Sequence, residues 1–317
     1  MVVLALAGVF SGGDDDSREA ARTTPVEAPE TGDKAPSADG AEQPRMSTIR
    51  VGGRPTAVSA SPDGVWVADS FSARGTVLES AAAKPTRFRL EGPASDVTVT
   101  KSGAYYALPE QQAVERRELA DPVAAGETIE LDGFPSVLAS ADGSVFALSD
   151  RAVELIDVDS GEVADSFRLA GFGSGLAVGE GFLWAAVDNR EVVRLDPATG
   201  EADGDPVEVP EVFAVTADEG AVWVLSASGQ LTRIDPQSLR ATAAPAPIRG
   251  ALDVAVGLGS VWVTSSRRTV TRLDPRSLEP VGEPLKVGGE PASIAVGDNA
   301  VWVANGGDGT LSRIQPS

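Results

Sequence analysis

Short apolar runs and strictly alternating runs follow one another from residue 47 onwards, and they predict β-strands. Leu231–Asp235 (LTRID) and Val270–Asp274 (VTRLD) alternate between apolar and polar positions, which is the period of a half-buried strand. Ala292–Val296 (ASIAV) is an apolar run of strand length. Turn sequences such as Asp196–Gly200 (DPATG) separate the runs, with Asp capping the turn and Pro presetting its backbone angle. The pattern predicts an all-β domain.

The strand pattern repeats with a period near 40 residues. Each copy places an aromatic residue in the strand that follows a turn, and successive aromatics lie 40, 40, 38, 39, 39 and 40 residues apart. The aligned residues are Trp66, Tyr106, Phe146, Trp184, Trp223, Trp262 and Trp302. A fixed period of this length, built from four short strands, is typical of β-propellers. The sequence therefore predicts a seven-bladed β-propeller with four-stranded antiparallel blades over residues 47–317.

We interpret the seven aligned aromatic residues as structural. Blades are twisted sheets arranged around an axis, so the gap between neighbours widens away from that axis. A large ring fills this wedge with the most buried area per residue. These side chains are therefore expected in the core and not against a ligand.

The two ends of the repeat region predict how the ring closes. The chain ends in LSRIQPS, which matches a third strand, so the last blade lacks its outer strand. Thr48–Pro55 (TIRVGGRP) matches Pro284–Pro291 (PLKVGGEP), the end of an outer strand. The N-terminal strand is therefore expected to close the last blade, which removes two exposed sheet edges.

The first 46 residues have a different character. Residues 1–10 form an apolar stub (VVLALAGVF from Val2), which is shorter than the roughly 20 residues that span a bilayer and has no basic segment before it. We interpret it as the remnant of a signal peptide or of a transmembrane segment; the alternative is an ordinary frayed terminus. Residues 11–46 are acidic and rich in Pro and Ala, which predicts a disordered linker. This order predicts an extracytoplasmic protein of the cell envelope, secreted or tethered to the membrane through its N-terminus.

Composition excludes several kinds of chemistry. The formal net charge of −21 opposes binding to nucleic acid and to anionic membrane surfaces. The chain has no cysteine, which excludes disulfides, thiolate nucleophiles and Cys-ligated zinc. It also has no histidine, which removes the commonest general base and the commonest metal ligand. An enzyme of this sequence would work with Asp, Glu, Lys, Arg, Tyr or Ser alone.

Two strings carry a resemblance to known propellers. Val51–Asp69 (VGGRPTAVSASPDGVWVAD) and Val287–Ile314 (VGGEPASIAVGDNAVWVANGGDGTLSRI) resemble the YVTN/YncE-type and virginiamycin B lyase-like superfamily, and also the propeller ectodomains of some actinobacterial transmembrane Ser/Thr kinases. The resemblance covers residues 47–317 and implies a propeller that is a binding module, a sensor or an enzyme. It also implies that the lyases use a catalytic histidine near a bound Mg²⁺. This chain has no histidine to take that role, so the lyase activity is not carried over.

One face of the predicted propeller collects acidic residues. In propellers, the loop that enters each inner strand and the loop after each second strand open together around the axial channel. Oxygen ligands in this place would suit Ca²⁺ or Mg²⁺, or a cationic ligand, and the alternative is that they are ordinary turn residues. The candidate binding residues are Asp69, Asp96, Asp150, Asp188, Asn189, Asp253, Asn305 and Asp308.

Arginine recurs at one position of the third strand. Arg194, Arg233, Arg272 and Arg313 occupy this position in four copies. We expect them to form a surface ladder that pairs with nearby carboxylates. Exposed pairs of this kind contribute about 0–1 kcal/mol each.

These observations favour a non-catalytic, extracytoplasmic propeller that acts as a binding or sensor module. Its expected partner is a protein or a small-molecule ligand of unknown identity, and not nucleic acid, and we expect a monomer. The alternative hypothesis is a lyase or hydrolase that uses carboxylates and a divalent metal on the same face. No sequence motif assigns a catalytic residue.

Overall fold

The computed structural model describes residues 44–141 and 143–316, which form seven four-stranded sheets. The chain enters with β1 (Arg45–Arg50). The first blade comprises β2 (Ala57–Ser61), β3 (Gly64–Asp69), β4 (Arg74–Leu78) and β5 (Thr86–Arg89). The second comprises β6 (Asp96–Thr100), β7 (Gly103–Leu108), β8 (Ala113–Arg117) and β9 (Glu127–Glu130), with a short 3-10 helix at Pro109–Gln111. The third comprises β10 (Pro135–Ala141), β11 (Ser144–Ser149), β12 (Ala152–Asp157) and β13 (Glu162–Arg168).

The remaining blades follow the same plan. The fourth comprises β14 (Gly173–Gly179), β15 (Phe182–Val187), β16 (Glu191–Leu195) and β17 (Val207–Glu208). The fifth comprises β18 (Val212–Asp218), β19 (Ala221–Ser226), β20 (Leu231–Ile234) and β21 (Ala241–Ala243). The sixth comprises β22 (Ala251–Gly257), β23 (Ser260–Ser265), β24 (Thr269–Leu273) and β25 (Leu285–Lys286). The seventh comprises β26 (Pro291–Val296), β27 (Val301–Asn305) and β28 (Thr310–Gln315), together with β1.

The topology confirms the predicted seven-bladed propeller and its closure. Within each blade the strands are antiparallel and lie in chain order, and we name them A to D from the axis outwards. The seventh sheet has the order β1-β28-β27-β26, with β1 paired from Arg45↔Gln315 to Arg50↔Thr310. β1 begins two residues before the expected domain start at 47. The predicted stub 1–10 and linker residues 11–43 lie outside the described residues, and within the described ranges no helix is long and apolar enough to cross a membrane.

This strand order gives the propeller two faces with different connections. Because strands A to D alternate in direction, the A–B and C–D turns open on one face, which we call the turn face. The B–C loops and the loops that join one blade to the next open on the other face, which we call the rim face. Both Arg45 and Gln315 lie at the turn face, since β1 is a D strand and β28 is a C strand.

The core lies in the seams between blades. The buried apolar residues of the described chain form seven clusters, and each cluster is shared by two neighbouring blades. Trp184 and Trp262 are fully buried in the seams that follow their blades, and the other aligned aromatics are at most 5% exposed. This placement follows from the wedge geometry, since six of the seven rings fill the gap towards the next blade.

The structure corrects the alignment of the second blade. Gly64 pairs with Ser61 and Gly103 with Thr100, so Trp66 corresponds to Tyr105 and not to Tyr106. Tyr105 packs in the seam between the second and third blades, whereas Tyr106 faces back towards Trp66 in the preceding seam. Because the two tyrosines are adjacent, the alignment could be wrong by one residue and still place a tyrosine at the aromatic position. An error of one residue moves a strand side chain to the opposite face of the sheet. Tyr106 is still fully buried.

The third-strand arginines also differ from the expectation. Arg272 and Arg313 lie over the indole rings of Trp262 and Trp302, with 5.4 and 5.7 Å from guanidinium carbon to ring centroid. Arg194 covers the ring of Phe182 at 4.4 Å and also pairs with Asp203 at 2.9 Å. Three of the four arginines therefore lie over aromatic rings, and one of these three, Arg194, also pairs with a carboxylate.

Candidate functional site

Three of the predicted rim carboxylates hold the loops that join the blades. Asp69 accepts the backbone N–H of Arg54 and of Phe71, each at 2.9 Å. Asp188 accepts the N–H of Phe172 at 2.8 Å, and Asp308 accepts the N–H of Gly289. In each case a B–C loop carboxylate anchors the loop that enters the same blade. These oxygens satisfy backbone donors that no strand partner reaches.

Asp96 and Asp253 perform a related task inside the axial channel. Asp96 lies on an A strand and accepts the N–H of Leu138, on the A strand of the next blade, at 2.8 Å. Asp253 does the same for Ile294 at 3.0 Å. The register places the two residues at the same level, opposite Ala107 and Thr264 of their B strands. Each carboxylate therefore bridges the inner edges of two neighbouring blades.

A third residue shows that this bridging position does not require a charge. Ser293 occupies the equivalent place in the seventh blade, opposite Ala304. Its hydroxyl accepts the N–H of Val58 in the first blade at 3.4 Å, which closes the ring at the axis. The inner strands have unpaired N–H groups that face the channel, and these side chains accept from them.

Burial changes the ionisation of both channel carboxylates. Burial raises the pKa of Asp96 from 3.8 to about 7, although the N–H groups of Leu138 and Val97 stabilise the anion. The negative charge of Asp253 raises it further. Burial also raises the pKa of Asp253, to about 6, against the opposing effect of its own hydrogen bonds. The channel thus contains two acids that change charge near neutral pH.

The other predicted site residues divide into buried and exposed positions. Asn305 is fully buried and donates to the hydroxyls of Thr310 and Ser312 at 3.1 and 3.0 Å. Asp150 and Asn189 are exposed in B–C turns, where their φ angles of 48° and 52° lie in the left-handed region that Asp and Asn tolerate. The eight residues therefore divide between the loops of the rim face, the axial channel and the B–C connections.

Arginine side chains lie beside two carboxylates of the rim face. Arg54 contacts Glu290 at 2.7 Å and Arg268 contacts Asp308 at 3.8 Å. Within the described residues, no group of three or more acidic side chains is arranged to hold a metal ion. The expected Ca²⁺ or Mg²⁺ site remains a prediction without a converging set of ligands.

Exposed phenylalanines distinguish the rim face, and the sequence analysis missed them. Phe71, Phe134 and Phe172 are 65%, 53% and 58% exposed. Phe71 lies in a B–C loop, and the other two lie in loops that enter the third and fourth blades, so all three open on this face. Each of these phenylalanines lies in a loop, outside the apolar positions of the repeat. This departure from the repeat is the sequence signal that would have identified them.

Two of these rings are held by arginine. The guanidinium of Arg54 lies 4.3 Å from the ring centre of Phe71, and that of Arg151 lies 4.9 Å from the ring centre of Phe172. Arg151 also donates to the carbonyl of Ala170 at 2.9 Å. The contacts fix the rings in place without covering them, which lowers the conformational entropy lost when a partner binds.

Cavities lie on the turn face. One of about 880 Å³ is formed by the A–B turns of the first three blades and includes Lys101, Ser102 and Asp159. Its polar wall contains a chain of hydroxyls, in which Ser102 contacts Thr100 at 2.8 Å and Tyr105 at 3.0 Å. A second cavity, of about 510 Å³, lies between the third and fourth blades. None of the eight predicted site residues lines either cavity.

Comparison with known proteins supports the fold and leaves the activity open. No family model matches the sequence, and no curated protein sequence matches it. Among solved structures, a catalytically inactive histidine-to-alanine variant of virginiamycin B lyase from Staphylococcus aureus, determined with quinupristin, is similar with a TM-score of 0.73 and 16% identity, over 87% of this chain and 100% of that chain.

Propellers described as parts of other systems are similar as well. The Pan2 WD40 domain of Neurospora crassa has a TM-score of 0.69 and 12% identity, over 83% of this chain and 89% of that chain. A chain of the Mitotic Checkpoint Complex has a TM-score of 0.73 and 11% identity, over 94% of this chain and 99% of that chain. At these identities the likeness shows the propeller fold alone.

Proposed function

We propose that this propeller is a non-catalytic, extracytoplasmic binding module that takes a protein partner on its rim face. The observation that carries the proposal is the set of three exposed phenylalanines on that face, Phe71, Phe134 and Phe172. Exposed aromatic rings cost solvation free energy in the free protein, and aromatic residues with arginine are enriched at the centres of protein interfaces. The presence of similar propellers in a protein complex supports a protein partner.

β1 begins at the turn face, opposite to the three phenylalanines. The apolar stub at residues 1–10 and the acidic linker at 11–46 support a tethered or exported protein.

Lyase activity is not part of the proposal. The similar virginiamycin B lyase is described as catalytically inactive when one histidine is replaced by alanine, and this chain has no histidine at any position. The channel carboxylates Asp96 and Asp253 are bonded to backbone donors of neighbouring blades. These contacts give them a structural task in the free protein.

Site-specific photo-crosslinking in the producing cells tests the proposal. A photoreactive phenylalanine analogue at position 134 or 172 is expected to give the same covalent protein adduct. The analogue at Val163 or Val281 serves as control, because these side chains are exposed, apolar and close to the turn face. Identical adducts from all four positions, or none from the rim face, would contradict the proposal.

A binding titration then tests whether the three phenylalanine rings contribute to the affinity for the crosslinked partner. The identified partner is purified and titrated against the wild type and against the triple variant Phe71→Ser, Phe134→Ser, Phe172→Ser. Hot-spot truncations of this kind cost about 2 kcal/mol or more each, so binding is expected to fall at least about thirtyfold. Because the rings are exposed, the free energy of unfolding should stay within about 0.5 kcal/mol for each change. Unchanged affinity refutes the assignment.

A further inference from the structure

Two tryptophans, Trp184 and Trp262, reach equivalent points under the A–B turns of their blades. The indole N–H of Trp184 donates to the carbonyl of Gly179 at 3.2 Å, and that of Trp262 donates to Gly257 at 3.1 Å. In both blades the acceptor is five residues before the tryptophan. The indole therefore fills the space beneath the turn, next to the following blade.

The third blade lacks this filling. It has Phe146 in place of tryptophan, and the residue five positions earlier is Ala141. A phenyl ring is smaller than an indole and has no N–H to reach that carbonyl. Ala141 and Phe146 both line the cavity of about 510 Å³ on the turn face. The cavity thus lies beside the place that an indole occupies in the fourth and sixth blades.

The walls of this cavity are apolar and held in position. Phe146, Leu155 and Val178 form its apolar surface. All three belong to, or pack against, the apolar cluster between the third and fourth blades, which holds them in position. A volume of this size, lined by fixed apolar side chains, is in the range of small-molecule sites.

The polar residues of the lining define what can enter. Ser144 contributes a hydroxyl. Glu180 is also in the lining, but its carboxylate accepts the N–H of Gly220 in the fifth blade at 2.9 Å and is therefore directed away from the third blade. Among the described residues, the lining contains no lysine or arginine that would pair with an anion. It therefore favours an uncharged apolar compound.

We infer that the seam between the third and fourth blades is a binding site for an uncharged small aromatic or aliphatic molecule, left open by Phe146 where other blades have tryptophan. The site lies on the turn face, so it does not depend on the proposed protein-binding function of the rim face. A small molecule and a protein partner can be bound at the same time.

Fluorescence titration with the neutral probe N-phenyl-1-naphthylamine tests the inference on the full chain. Saturable binding with one site is expected for the wild type. Ala198→Trp places a ring at the cavity from an exposed turn, and Phe146→Trp places an indole inside it. Each variant is expected to weaken binding at least about tenfold. Gln237→Trp changes the same position of the same turn in the fifth blade, where Gln237 donates to Asp235 as Ala198 donates to Asp196, and it should leave affinity unchanged.

Other outcomes overturn the inference. They are the absence of saturable binding to the wild type, a loss below about threefold in either cavity variant, or an equal loss in Gln237→Trp. Near-ultraviolet circular dichroism of each variant checks that the blades remain packed. Because Ala198 is exposed, Ala198→Trp keeps the test valid even if Phe146→Trp does not fold. Failure here leaves crosslinking at the rim face unaffected, so the two proposals fail separately.

Discussion

Raising the pH from about 5 to about 8 is expected to weaken this fold, because Asp96 and Asp253 ionise inside the channel. Burial raises the pKa of the two carboxyls to about 7 and about 6, from an ordinary value of 3.8. Between pH 3.8 and these folded-state pKa values, the folded protein binds more protons than the unfolded chain. The free energy of unfolding therefore falls as the pH rises. The added stability is complete below pH 3.8 and is lost as the pH passes through the folded-state pKa values.

The size of the effect follows from the same values. One pKa unit corresponds to about 1.4 kcal/mol. From about pH 8 to about pH 5, linkage gives Asp96 about 3 kcal/mol and Asp253 about 1 kcal/mol of added stability. Part of this sum is shared, since the charge of Asp253 contributes to the raised pKa of Asp96. Both effects together amount to about 3–4 kcal/mol, which is a large fraction of the stability of a typical domain.

Three turn carboxylates with shifted pKa values do not obscure this window. Asp157, Asp235 and Asp274 have lowered pKa values because backbone N–H groups and neighbouring hydroxyls in their turns stabilise the anions. The stability that they contribute is present above pH 3.8 and is lost only as the pH falls below that value. These three groups therefore do not change the free energy of unfolding between about pH 5 and about pH 8.

Urea unfolding followed by tryptophan fluorescence at several pH values measures the effect. Within the range from about pH 5 to about pH 8, the wild type should show its highest free energy of unfolding near pH 5. The double variant Asp96→Asn, Asp253→Asn should lose most of the slope, because neither side chain titrates. Asp188→Asn is the control, since Asp188 also accepts a backbone N–H but lies exposed on the rim face. A flat wild-type profile, one that rises with pH, or a slope kept by the double variant would refute the reasoning.

Three further predictions concern the framework. Trp262→Ala should lower the free energy of unfolding by about 3–5 kcal/mol, because its ring is fully buried in a seam; a loss below about 1 kcal/mol in urea titration would contradict this. Tyr105→Trp should be tolerated better than Tyr106→Trp in thermal unfolding, because only position 105 corresponds to the tryptophans of other blades; equal losses would count against the corrected register. Deletion of residues 1–50 should lower the melting temperature and expose the seventh blade to protease, whereas deletion of residues 1–43 should change neither, since only the first removes β1; equal behaviour of the two would refute ring closure by this strand.

The sequence predicted the framework well because the framework repeats. Seven copies of one pattern determine the number of blades, and the match between Thr48–Pro55 and Pro284–Pro291 identifies the closing strand. The alignment of the copies failed at Tyr105 and Tyr106. Either ring fits the aromatic position of the repeat, and the sequence does not show which of the two faces the next blade. Only the pairing of Gly103 with Thr100 resolves it.

The sites were harder to predict because they depend on contacts between blades. Asp96 and Asp253 were placed near the channel, but their role depends on N–H groups some forty residues later in the chain, and a single copy of the repeat does not show these. The exposed phenylalanines depart from the repeat, so an alignment of its copies passes over them. The cavity beside Phe146 results from a small difference in ring size that becomes visible only against the next blade.

The closing strand also determines how the molecule bears mechanical load. β1 is held to β28 by non-covalent contacts alone, since the chain has no cysteine to form a disulfide. Arg45 lies at the turn face, so a pull on the chain before it, away from that face, acts along the strand axis. The six paired positions from Arg45 to Arg50 would then be sheared together and would not unzip one after another. A propeller that is pulled through its N-terminal strand and held on its rim face would therefore resist extension along that strand.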